Sequence, residues 1–176
     1  EQCADSENPT DWVKAILRRE GAVKRGDLLR QSRFGGDDIS ESYGDDEVRA
    51  TGEWVANEAS WIEAQAAAAG RIDVEHKTHP ERPGVSLEVL RGVVKKILPE
   101  GAAEILLDEM GRDGFRRSGT TMARETHQLS LPPAMETAAA KVRAALQVKP
   151  MEPPSRKDLG DPAVVRFLID AEEVVE

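Results

Sequence analysis

One order of segments recurs along these 176 residues: three helical stretches, then two short β-capable runs around a turn. In the first copy Pro9 suits an early helical position, Trp12, Ile16 and Leu17 fall at helical spacing, and Gly21 is a stop. Short helices are predicted over Asp27–Ser32 and Asp38–Tyr43, and a two-stranded ribbon over Glu47–Val55. The second copy opens at Asn57, a good N-cap, with a helix running through Ala66–Ala69 towards Thr78 although Gly70 weakens it by about 1 kcal/mol. Two prolines make His79–Gly84 a rigid turn. Ser86 starts a helix to about Leu98. Pro99 fits the first turn of the next, where Ala103, Leu106, Leu107 and Met110 form an apolar stripe. A strand, a Ser118-Gly119 turn and a second strand follow. The third copy begins at Pro132–Pro133, with an Ala-rich helix over Ala134–Leu146 and a stiff Pro-rich link. Ser155 then caps a very short helix to Leu159, and Asp161 caps a helix carrying Val165, Phe167, Leu168 and Ile169. Glu172–Glu176 reads as the first strand of a last ribbon whose partner is missing. A lone strand is not stable, so the chain, which opens on Glu1 rather than Met, is expected to be a fragment or a processed product.

This periodicity of architecture, with no residue motif shared among the copies, predicts a mainly α protein with small β-ribbons, in tandem winged-helix (helix-turn-helix) domains. The expected units are residues 1–56, 57–131 and 132–176, the last with an incomplete wing. Aromatic residues are only 4%, so the cores must come from Val, Leu, Ile and Ala, and units of this size bury little and lean on neighbours.

Charge narrows the function classes. Acids number 33 and bases 24, a net charge of −9. Residues 1–80 carry a net −7, 81–131 are neutral and 132–176 carry −2. Phosphate neutralisation supplies most non-specific affinity for nucleic acid, so any such contact must be local and lie in the later two thirds. No window approaches the ~18 apolar residues of a membrane span, and no basic-then-apolar start marks a secretory signal. The single cysteine, Cys3, excludes an internal disulfide framework and Cys-rich zinc sites and fits a reducing compartment. Cytoplasmic location and a monomeric state with no membrane partner are therefore expected.

Catalysis is not indicated. The chain has no Gly-x-x-x-x-Gly-Lys-Ser/Thr loop, and abundant Asp and Glu give no specific acid–base signal. His76 and His79 lie three apart as a conceivable metal pair, but with no further Cys or His nearby a hydrogen-bonded or capping role is favoured, and His127 is read as structural. No metal or cofactor is expected in this chain. Two basic clusters stand out. Arg112, Arg116, Arg117 and Arg124 surround the Ser118–Thr121 turn, either as phosphate contacts on a wing or as charges that keep an exposed hairpin soluble. Ser155, Arg156, Lys157 and Leu159 form the other, either as a phosphate-holding helix start or as a capped, solvated helix.

The segment HPERPGVSLEVLRG (His79–Gly92) resembles the His-Pro-x-x-Pro-Gly-x-x-x-x-x-Leu-Arg turn–helix in the C-terminal region of bacterial selenocysteine-specific elongation factors, the SelB family. GEWVANEASWIE (Gly52–Glu63) is similar to that family's approach to its second module, and LGDPAVVRFLIDAEEVVE to its last module's helix and first wing strand. The resemblance implies a winged-helix arm behind a GTPase part. The last module of that arm grips an mRNA hairpin, bringing selenocysteinyl-tRNA to a recoded UGA codon on the ribosome. By matching, it places Arg156, Lys157 and Leu159 at the RNA, with Lys157 on phosphate or a base edge and Leu159 under an unstacked base. The sequence departs from the family in lacking the last wing and the GTPase part, so GTP and Mg²⁺ would belong to the parent protein.

Two competing classes remain. A winged-helix transcription regulator would put a polar or basic helix in the major groove, whereas EGAAEILLDEMG and DPAVVRFLIDAE are apolar and acidic. A protein-interaction scaffold is equally compatible with the fold, which alone never decides function.

Overall fold

A computed structural model of the chain describes residues 7–148, 159–171 and 173–174. It is mainly helical, with two small antiparallel sheets. Helix α1 (Pro9–Glu20) starts where the Asn8 side chain accepts the Thr10 N–H and ends at Gly21, whose φ of 72° suits glycine. Then come β1 (Ala22–Lys24), α2 (Arg25–Gln31), α3 (Gly36–Glu41) with a 3-10 turn at Ser42–Gly44, β2 (Val48–Thr51) and β3 (Trp54–Asn57). The second stretch has α4 (Glu58–Thr78), β4 (Val85–Ser86), α5 (Leu87–Val94), α6 (Glu100–Met110), β5 (Phe115–Ser118) and β6 (Thr121–Arg124). The last has α7 (Pro133–Val148) and α8 (Pro162–Asp170), the latter capped by Asp161 accepting the Ala163 N–H.

Each ribbon is in fact a three-stranded sheet. A short strand follows the first helix of the unit or the rigid turn and joins the far side of the hairpin, giving the orders β1-β3-β2 and β4-β6-β5. Ala22 pairs with Ala56 and Lys24 with Trp54; Val85 pairs with Met122 and Ser86 with Thr121. Strands of two or three residues show too little alternation to be seen in sequence, and here pairing to a hairpin already formed defines them. The helix expected to reach about Leu98 ends at Val94 and continues as turns, the Ile97 and Leu98 amides donating to the Val94 carbonyl, before Pro99 disfavours helix at Leu98. Pro99 sits just before α6 rather than in its first turn.

The cores explain the layering. Strand β3 is buried at all four residues, and alternation sends its side chains to both faces. Val55 joins Trp12, Val13, Ile16, Leu17, Leu28, Ile39 and Val48. Trp54 and Ala56 join a larger cluster with Trp61, Ile72, Leu90, Leu98, Leu106 and Met122. The first sheet thus lies between two helical layers, and residues before and after 57 share one apolar core. A third cluster around Ala139, Val142, Val164, Phe167 and Leu168 is separate, with Leu129, Leu131 and Leu159 packed against it. Of the strand expected over Glu172–Glu176, Glu173 and Val174 are described, and both amides donate back to the Leu168 carbonyl at the end of α8 rather than extending.

Candidate nucleic-acid interface

The β5–β6 hairpin turns at Gly119, with φ 55°, and Thr121 Oγ1 donates to the Ser118 carbonyl. Its arginines divide by face. Arg117 donates to Asp108 of α6 at 2.6 Å. Arg124 makes two 2.8 Å bonds to Asp73 of α4 and lies 4.4 Å from the Phe115 ring centre. Asp73 is held below the usual carboxylate range mainly by that bond. Arg116 lies on the opposite face of the strand from Arg117. It and Arg112 are exposed and form no ion pair among the described residues. Of the two hairpin residues singled out from sequence, Arg117 is tied down and Arg116 is open to solvent.

Ser155, Arg156 and Lys157 lie outside the described residues. Leu159 is half-buried against the third apolar cluster. The hairpin and the third unit are joined by residues 125–132, along which the Ser130 amide donates to the Pro80 carbonyl at 3.1 Å. A cleft of ≈ 470 Å³ opens between the 79–86 turn and α8. Its cations are answered in place: Arg71 and Arg82 by Glu75 at 2.9 and 2.8 Å, and Arg166 by Asp170 at 3.1 Å.

The acids of helix α6 are engaged by neighbouring elements. Glu100 binds Lys95, Glu104 binds Arg91, Asp108 binds Arg117, and Glu109 accepts from Thr51 at 2.8 Å and faces Arg49 at 3.5 Å. Lys95 draws the Glu100 carboxyl below its ordinary range. Gly101 presses on the Trp54 ring, where a Cβ would come within 2.6 Å of Cζ2. Helix α3 opens with Asp37 and Asp38 in its first turn.

The histidines are arranged differently from their spacing. His79 ends α4, its amide donating to the Glu75 carbonyl, and its Nδ1 lies 3.3 Å from Glu81. His76 instead stacks on His127, ring centres 3.7 Å apart and 5° from parallel. Among the described residues no group of three or more His, Cys, Asp or Glu could hold a metal, and no helix is long and apolar enough to cross a membrane. The His76–His127 contact spans 51 positions and has no sequence signal. The docking of α6 left only a faint one, in the small residues Gly101, Ala102 and Ala103 at its start.

The chain matches no protein-family model and no curated protein.

Proposed function

We propose that the chain is the RNA-binding arm of a selenocysteine-specific translation elongation factor, built of tandem winged-helix units that present an mRNA hairpin site at their far end. The repeated sequence helix, strand, helix, helix, strand, strand, with the first strand closing a β1-β3-β2 or β4-β6-β5 sheet, supports the winged-helix assignment. The observation that carries the RNA reading over a DNA one is the engagement of α6. Its acids are paired with neighbouring elements and its start is packed on Trp54. A helix so placed has neither the basic surface nor the freedom to enter a major groove. Recognition of an RNA loop needs only a small basic spot meeting splayed bases, which suits a chain of net charge −9.

On this reading Ser155, Arg156, Lys157 and Leu159 meet the hairpin, and Arg116 adds a phosphate contact. The acidic first unit repels other RNA and serves as a spacer. The chain itself does no catalysis. It carries no recognisable phosphate-loop motif, and on this reading GTP and Mg²⁺ belong with the parent protein, as do the contacts with selenocysteinyl-tRNA and the ribosome. The arm works as a monomer in the cytoplasm.

The test is a titration with hairpin RNA and with duplex DNA of matched length at two salt concentrations. Hairpin binding is expected, and Lys157→Ala should weaken it roughly tenfold with thermal stability unchanged. Equal affinity for duplex DNA would favour a transcription regulator. Binding to neither would favour an interaction scaffold.

A further inference from the structure

The exit from β6 is fastened to the end of α4 by a chain of contacts. Arg124 grips Asp73 through two bonds. Three residues on, His127 lays its ring on His76 at 3.7 Å and places Nε2 3.0 Å from the Arg82 carbonyl. A carbonyl only accepts, so this nitrogen carries the proton. Three residues further the Ser130 amide donates to the Pro80 carbonyl. Leu129 and Leu131, interleaved with these contacts, already belong to the apolar cluster of the third unit. The segment that leaves the second unit and the segment that enters the third are therefore the same few residues, and the imidazole pair sits in the middle of them.

We propose that the stacked His76–His127 pair is an acid-sensitive strap that holds the third unit at a fixed orientation on the second at neutral pH and releases it when His76 takes up a proton.

The charges around the pair make the release one-sided. Among the described residues His76 Nε2 is buried without a hydrogen-bond partner, so a proton there gains no acceptor and charges an imidazole that burial already disfavours. Burial first, then the facing His127, lowers the proton affinity of His76, with Arg124 acting in the same direction. Asp73 and Glu75 act in the opposite direction. Both are already committed, Asp73 to Arg124 and Glu75 to Arg71 and Arg82. A charged His76 ring cannot stay buried with its Nε2 unpartnered against the His127 ring, and separating the two withdraws His127 from the Arg82 carbonyl and lifts residues 127–130 from the turn. A histidine whose proton affinity is lowered on folding stabilises the closed form fully above its ordinary pKa of 6.5 and loses that contribution as the pH falls below it. The strap depends on no particular RNA or protein partner and stands whether or not the proposed function holds.

Dyes on Ala66→Cys in α4 and Lys141→Cys in α7, both exposed positions, in a Cys3→Ser background, read the orientation by single-molecule energy transfer in the full chain. One narrow distribution is expected at pH 7.5 and a broad, shifted one at pH 5.0. His76→Phe keeps a ring on His127 but cannot be protonated, so the distribution should stay narrow at both pH values. A distribution that stays narrow at pH 5.0 in the unsubstituted protein, or that broadens equally in the phenylalanine variant, overturns the proposal.

Discussion

Two helical glycines show how surroundings set the sign of a single change. Gly70 lies exposed in α4, and a Cβ there would meet nothing within 4 Å. Alanine relieves the conformational entropy that glycine gives up in a helix, so Gly70→Ala should stabilise the protein by about 0.5–1 kcal/mol. Gly101 lies in the first turn of α6, and the same substitution would push a methyl to 2.6 Å from Trp54 Cζ2. That indole is 8% exposed and belongs to the main apolar cluster, so it cannot swing aside without opening the core. Overpacking of this kind costs roughly 1–3 kcal/mol, which outweighs the helix propensity gained. Gly101→Ala should therefore lower the urea midpoint while Gly70→Ala raises it, with unchanged slopes. Equal shifts would mean that Trp54 yields freely. The sequence marks Gly70 as a weak point of its helix and says nothing of Gly101. What separates them is a tryptophan 47 positions away, and nothing local to Gly101 encodes it.

At the scale of elements, the helices and the two hairpins are legible in the sequence, the short helices α2 and α3 included, and the strands β1 and β4 are not. Helices α1, α4, α6 and α8 follow from Pro9, caps at Asn57 and Asp161, the stop at Gly21, and apolar spacing, while the cap at Asn8 is visible only in the structure. Strands β1 and β4 exist because a neighbouring hairpin offers them partners, which is a tertiary cause. The hairpin arginines illustrate the same limit. Their density marks the ribbon, but only the fold separates Arg124, which bridges β6 to α4 and stacks on Phe115, from Arg116, which pairs with no acid among the described residues. Arg124→Ala should destabilise the chain by about 1 kcal/mol, the combined scale of a surface ion pair and a cation–π contact. Arg116→Ala should change stability by less than about 0.5 kcal/mol and, on the proposed function, weaken RNA binding with a shallower salt dependence. Thermal melts and binding isotherms on the two variants separate these roles. A loss of stability at Arg116 with no effect on binding would return the hairpin to a purely structural part.

Across the whole molecule, the three similar segment orders suggest beads on a string, yet the cores divide the chain in two. Trp54 and Ala56 project from the first sheet into the cluster built by α4, α5 and α6, while Val55 between them projects into the cluster of α1, α2 and α3. Strand β3 is thus a shared wall, and neither side can lose it without exposing the apolar face of the other. Gly21 adds to the seam, since a Cβ there would lie 2.5 Å from the Ile97 carbonyl oxygen. The third cluster shares no residue with these two. Elements that share a buried wall unfold together, whereas units joined through few contacts open at lower free energy. All three tryptophans, Trp12, Trp54 and Trp61, lie in the joined part, so their fluorescence reports on it alone. One tryptophan transition is expected on heating, covering everything up to β6. Methyl signals of Val142 and Leu168 should be lost in a separate and earlier step, because α7 and α8 bury a smaller cluster. Two tryptophan transitions would mean that β3 does not couple its two sides. Coincident loss of the methyl signals would mean that residues 125–132 bind the third unit as tightly as β3 binds the first two. The His76–His127 contact falls between these two parts, at the end of α4 and the exit from β6.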